Sequence, residues 1–186
     1  ANESFILLGG IDTLEGGAGF DRLRYDRDGV QGVSADLESG TVNGVWNQQP
    51  FFHQVDGIEY LRGSNSADFI GDSSGDDQLE GRGGTDLFAL SGGNDTITDF
   101  EVGFDILEVS SPDQSNADVQ AAFDAASDSA GGAVVDFGNG SSVTFANLTA
   151  AEVQGLVPFS YSNNSQSIQG SDWDDVLFGT RFDDEI

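Results

Sequence analysis

Between Glu59 and Phe100 an acidic residue recurs every nine positions: Glu59, Asp68, Asp77, Asp86 and Asp95. Two residues after each comes an apolar side chain: Leu61, Ile70, Leu79, Phe88 and Ile97. Gly75, Gly84 and Gly93 stand two before the last three acids, and Gly81 and Gly83 enrich the turn ahead of Asp86. A fixed short period marks a repeat architecture. Glycine permits positive φ, so the first six residues of each unit can form a tight turn that exposes backbone carbonyls. The last three form a short strand with one side chain pointing inward. Two units complete one coil, so acids eighteen apart stack. Glu59, Asp77 and Asp95 share one edge, and Asp68 and Asp86 share the other. Stacked carboxylates about 4.8 Å apart repel by roughly 3–4 kcal/mol at an effective dielectric of 20. The stretch offers only Arg62 and Arg82 as cations. A hard dication relieves the repulsion, and carboxylates with turn carbonyls are the donor set calcium prefers.

The flanking chain carries the same ruler. Asp12 and Asp21 lie nine apart with Leu14 and Leu23 two further on, and Glu3 with Phe5 fills the preceding position. Glu3 pairs with Asp21 on one edge, while Asp12 has Val30 eighteen residues on. Residues 1–24 are therefore expected to be the end of a truncated roll. Residues 25–57 read as an irregular β linker: 30–46 alternate around a turn at Glu38–Gly40, and 47–57 read as a loop. Residues 58–100 form the central roll. Asp99 and Asp105 then flank a turn at Gly103, and Asp99 can add a ligand at the end of the stack.

Residues 101–160 read as a strand, helix and hairpin that cap the roll, since terminal repeats need an atypical cover. The helix is expected over 115–129, started by Ser115 or Asn116 and ended by Gly131-Gly132. A hairpin follows through Asn139-Gly140, and Thr149 with Glu152 opens a short helix. In 161–186 the ruler returns, with Asp175 before Leu177 and Asp184 before Ile186. Trp173 and Phe182 replace a turn glycine there. These residues are expected to begin a further truncated roll, with Asp12, Asp175 and Asp184 the weaker ligands.

The composition narrows the function. There are 33 acidic residues against 6 basic ones, a net charge of −27. Such a charge argues against nucleic acid and anionic membrane as partners. A hydrophobic content of 37% with 14 Phe sets the chain apart from an acidic disordered segment. There is no Cys and no long apolar run, so neither disulfides nor a membrane span is expected. With no Met and an end in mid-pattern at Phe182–Ile186, the sequence reads as a piece of a longer protein. His53 is the lone histidine, without a Cys or second His near it, and is expected to be structural or at the surface.

Taken together, the stretches 59–100, 92–110 and 137–153 resemble the RTX, or hemolysin-type calcium-binding, family of secreted bacterial proteins. The last two resemble the C-terminal domain of serralysin-type proteases. The resemblance implies a mostly all-β fold: a parallel β-roll built from calcium-binding nonapeptides, with a small α+β capping segment. It implies several calcium ions between stacked turns, with Asp68 and Asp86, Asp77 and Asp95, and Glu59 and Asp77 framing sites. It also implies an extracellular location, export by type I secretion machinery, and neighbouring domains in a longer chain.

Three functions compete on these residues. The chain is expected to be a calcium-folded module that supports secretion and stability of a larger protein. An adhesion module would use Trp46, Phe51, Phe52, Tyr60 and Trp173 to hold a glycan or partner. An enzyme is not expected: HExxH and GxSxG are absent, and the acids follow the fold period.

Overall fold

A computed structural model describes residues 1–110, 115–138, 140–156 and 158–161. Each nonapeptide contributes one strand of three to five residues, and successive strands alternate between two facing sheets. The first sheet takes β1 (Ser4–Ile6), β3 (Arg22–Arg24), β7 (Tyr60–Arg62), β9 (Gln78–Glu80) and β11 (Asn94–Ile97), all parallel neighbours. The second takes β2 (Ile11–Glu15), β4 (Val30–Asp36), β8 (Phe69–Gly71), β10 (Leu87–Leu90) and β12 (Ile106–Ser110). Here β4, β8, β10 and β12 are parallel neighbours.

The apolar side chain two places after each acid points between the sheets. Leu23, Leu61, Leu79 and Ile97 line up from the first sheet, and Ile70 and Phe88 from the second; all are fully buried. Complete burial of such a side chain is worth roughly 1.5–3 kcal/mol, so the apolar residue two places after each acid fixes the register. Parallel strands buried on one face and joined by turns alone are possible because the chain coils instead of reversing.

The N-terminal block does not belong to a separate roll. Leu23 pairs in register with Leu61, so residues 22–24 and 60–62 are adjacent strands of one sheet. The segment between them is an insertion in the second sheet. β4 runs antiparallel to β5 (Thr41–Trp46), and β5 antiparallel to β6 (Gln49–Asp56), which pairs in parallel with β2. The expected loop at 47–57 is thus mostly strand. Asn47 and Gln48, both at positive φ, make the two-residue turn that hairpins favour. Phe51, His53 and Val55 then alternate inward. Pro50 lies beyond the Ile11–Phe52 end of the ladder with β2. A central His and an early Pro hid the period-two pattern.

At the far end, β15 (Ser142–Phe145) stacks in parallel on β11 and carries β14 (Gly132–Asp136) and β13 (Ser127–Ser129) antiparallel beyond it. Helix α1 (Asn116–Asp124) is shorter than the sequence suggests. Ser115 caps it, with Asp118 reciprocating, but Ser127–Ser129 leave the helix to pair with β14. Gly132, at φ +124, therefore opens β14 opposite Ser129 and does not end the helix. Helix α2 (Ala150–Val153) follows the Thr149–Glu152 capping box, and β16 (Phe159–Tyr161) adds to β12. Phe123 and Val153 are buried over the end of the roll, where Phe123 meets Phe145 edge-on at 6.4 Å. No described helix is long and apolar enough to cross a membrane.

Candidate metal centre

The turns that join the sheets form two edges. One carries the residues from Glu3, Asp21, Glu59, Asp77 and Asp95, and the other those from Asp68, Asp86 and Asp105. Backbone bonds tie the turns together along each edge. On the first, Glu3 N–H donates to Asp21 Oδ1 (2.7 Å), Asp21 N–H to Glu59 Oε2 (2.7 Å) and Asp77 N–H to Asp95 Oδ1 (2.9 Å). On the second, Val33 N–H donates to Asp68 Oδ1 (2.7 Å), Asp68 N–H to Asp86 Oδ1 (2.9 Å) and Asp86 N–H to Asp105 Oδ1 (3.0 Å). Each of these carboxylates thus spends one oxygen on the turn of the preceding coil.

The remaining oxygens are what a cation would meet. Asp21, Asp68, Asp72, Asp77, Asp86 and Asp95 are all 5% exposed or less, and no described arginine pairs with any of them. Asp21 Oδ2 is buried without a hydrogen-bond partner. Serines hold others: Ser64 N–H donates to Asp68 Oδ2 (2.6 Å), and Ser73 N–H and Oγ–H to Asp77 Oδ2 (both 2.7 Å). The glycines keep space beside them. A Cβ on Gly63 would collide with Asp68 Oδ2, and one on Gly81 with Asp86 Oδ2. A Cβ on Gly84 would run into the Ser66–Ala67 backbone one coil earlier, and one on Gly93 into the Gly75 carbonyl. Turn backbone therefore stacks directly on turn backbone. At Gly83, by contrast, a Cβ would meet nothing within 4 Å.

Burial without a counter-ion raises the carboxyl pKa values. Burial first, then the charges of Asp68, Asp105 and Asp99, push Asp86 up to about 7. Asp72 and Asp95 are raised by burial and by the neighbouring acids. Asp68, Asp77, Asp99 and Asp105 move the same way, with burial the largest cause. Ionised, these groups need a dication. Among the described residues no three Asp, Glu or His side chains are placed to hold an ion by themselves. The oxygen donors must then include turn carbonyls, which suits calcium with its six to eight oxygen ligands. Asp21, Glu59, Asp77 and Asp95 on one edge, and Asp68, Asp86, Asp99 and Asp105 on the other, would hold it.

Several expected residues sit differently from the rest. Asp99 Oδ1 and Oδ2 accept Gly81 N–H (3.0 Å) and Arg82 N–H (2.7 Å), so it closes the turn of the coil before it. Asp12 stands in register with His53, and its carboxylate lies 3.4 Å from His53 Nε2. His53 is fully buried, stacked on Phe51, with Nδ1 2.9 Å from the Tyr25 hydroxyl. Burial lowers its pKa against the opposing charge of Asp12. Asp175 and Asp184 lie outside the described residues.

Two acids escape the nine-residue ruler. Asp105 follows Asp86 by nineteen residues because the turn at Gly103 holds one extra; its signal is Leu107, apolar and two places on. Asp72 has no such signal. It is buried and accepts Ser91 N–H through both oxygens (2.9 and 2.8 Å) and Ser91 Oγ–H (2.7 Å). The arginines gather elsewhere: Arg24, Arg62 and Arg82 surround Asp26 at 2.5, 3.2 and 3.1 Å. They leave both ladders to a metal.

No curated protein matches the chain. The family model of the RTX calcium-binding nonapeptide repeat matches in four copies, over residues 8–24, 55–87 and 62–97. The match covers both the N-terminal coil and the central one, which the structure joins in one sheet. These repeats bind calcium, several ions per array. Residues 8–24 and 55–97 thus carry RTX calcium-binding nonapeptide repeats.

Proposed function

We propose that this calcium-binding β-roll folds when calcium binds and serves as a secretion and stability module of a larger extracellular bacterial protein. The observation that carries the reading is the pair of buried acid ladders without basic partners. In low calcium their repulsion and desolvation oppose folding, so the binding energy of the ions becomes folding energy. One site at a calcium concentration 100-fold above its Kd adds about 2.7 kcal/mol. Several such sites together are comparable with the marginal stability of an ordinary domain. A chain that stays unfolded in a low-calcium cytosol suits threading through a type I channel and folds on the outside.

The acids recur with the fold period, which a structural role explains and catalysis does not, so the proposal includes no reaction. A glycan-binding role draws little support from the aromatic residues, since Phe51 and Tyr60 are buried. Far-UV circular dichroism of the chain in chelator and in calcium tests the reading. Calcium should convert a disordered spectrum into a β spectrum, and a β spectrum that is unchanged in chelator would overturn it.

A further inference from the structure

The residue one place after each acid stands on the outer side of its sheet, and its chemistry differs between the two sheets. On the first sheet it is Arg22, Tyr60, Gln78 and Thr96; on the second it is Phe69, Leu87 and Ile106. Turns and inward residues follow one pattern on both sides, so the coil itself does not dictate the difference. Parallel pairing aligns Leu87 with both Phe69 and Ile106, in a row of neighbours about 4.8 Å apart. None of the three is buried. The next outward place holds Gly71, Ala89 and Glu108. The turn that leads into Ile106 is apolar as well. Val102 is 47% and Phe104 65% exposed, and a Cβ on Gly103 would meet nothing within 4 Å. That turn is nonetheless held at both ends. The Glu101 carbonyl accepts Phe104 N–H (3.0 Å) and Asp105 N–H (2.9 Å), and Glu101 N–H donates to Asp105 Oδ2 (2.8 Å). Asn147 Nδ2–H donates to the carbonyl of buried Phe100 (2.9 Å). Two apolar side chains fixed in the open, beside an apolar sheet face, are preorganised for a partner.

The charge around this surface selects the partner. No strand of the second sheet contains an arginine, and the chain has no lysine. Arg24, Arg62 and Arg82 are engaged with Asp26, and Arg22 lies over the Tyr60 ring on the first sheet, 4.1 Å from its centroid. Glu101, exposed, and Glu108, half-buried, flank the apolar residues. A second copy of the chain, at −27, is repelled. A partner that buries apolar side chains and brings cations matches both the face and its rim.

We propose that the outer face of the second sheet, with the turn at Val102–Phe104, is a docking surface for a polypeptide segment whose apolar side chains are flanked by lysine or arginine. Leu87, Val102 and Phe104 supply the apolar anchors, and Glu101 and Glu108 the counter-charges. The docking needs the folded roll, so it is tested in calcium.

Titration calorimetry of the full chain, with a synthetic amphipathic peptide of leucine and lysine as the probe, is the experiment. A saturable one-to-one complex is expected. A peptide of serine and lysine with the same length and charge should bind at least about tenfold more weakly. Val102→Ser with Phe104→Ser, and separately Leu87→Thr, should each weaken the leucine–lysine complex by at least about tenfold. Phe20→Ser, which removes an exposed ring beside Tyr60 of the first sheet, should leave it unchanged. Equal binding of the two peptides, or equal binding by the original and the Val102, Phe104 and Leu87 variants, overturns the proposal, since charge alone or another face is then responsible. It is also overturned if the folded chain fails to bind the leucine–lysine peptide. Uptake by phosphatidylcholine vesicles, or self-association, that is lost with Phe104→Ser would then assign the surface to a lipid or to a second copy. Circular dichroism on the same samples separates these results from a failure to fold, which would instead count against calcium-driven folding.

Discussion

Asp95 accepts the backbone N–H of Asp77 at 2.9 Å, although the two lie eighteen residues apart and both are buried. The acid of one coil thereby grips the backbone of the coil before it. Asp86 does the same to Asp68, and Asp105 to Asp86. Hydrogen bonds to a charged group contribute about 1.5–3 kcal/mol each, but they do not neutralise the charge. The fold therefore binds its coils with groups that it can keep ionised only beside a cation.

The pH dependence should reverse with calcium. In the metal-free roll Asp86 titrates at about 7, above its ordinary value of 3.8. A raised folded-state value means that folding takes up a proton. The metal-free roll should then be most stable below about pH 4 and lose that stability as pH rises through about 7. In chelator the far-UV β signal should therefore grow on acidification over this range. Protons compete with calcium for the same oxygens, so calcium affinity from titration calorimetry should fall as pH drops.

Asp95→Asn separates the two roles of the ladder. The amide oxygen still accepts Asp77 N–H, while the buried charge is gone. In chelator the variant should show at least as much β structure by circular dichroism as the original. Calcium affinity at that edge should weaken by about 10–100-fold, the range typical when a metal site loses a supporting carboxylate. A variant that keeps wild-type calcium affinity would place the ion elsewhere.

Turn glycines should differ in a way the structure specifies. Gly93 has φ +83 and stacks on the Gly75 backbone, so Gly93→Ala should cost about 1–3 kcal/mol in calcium, as strained backbone does. Gly83 is free of close neighbours and should tolerate Ala within about 0.5 kcal/mol. Chemical denaturation of both variants gives the comparison.

His53 should behave as a core residue. It packs on Phe51 and Tyr25 with no exposed surface. His53→Ala should destabilise the roll by about 2–4 kcal/mol without changing calcium affinity at the Asp77–Asp95 edge. Denaturation and calorimetry on one preparation check both parts.

Much of the roll was legible because period and chemistry agree. The acid every nine residues and the apolar side chain two later fix both the edge and the inward face, as at Asp77 and Leu79. What stayed hidden was non-local. Nothing near Leu23 in sequence shows that it pairs with Leu61 across the intervening insertion. Asp105 was displaced from the ruler by a single extra turn residue. Asp72 owes its burial to Ser91 in the next coil, a contact that no local pattern encodes. The helix over-reached because Ser127–Ser129 satisfy helical patterning equally well but find a strand partner in β14.

A crystal structure grown in calcium, with anomalous difference density, tests the central point most directly. Peaks should lie between the stacked turns on both edges, beside Asp77 and Asp95 on one and Asp68 and Asp86 on the other. A folded roll with no density at those turns, or with ions bound only away from them, would contradict it.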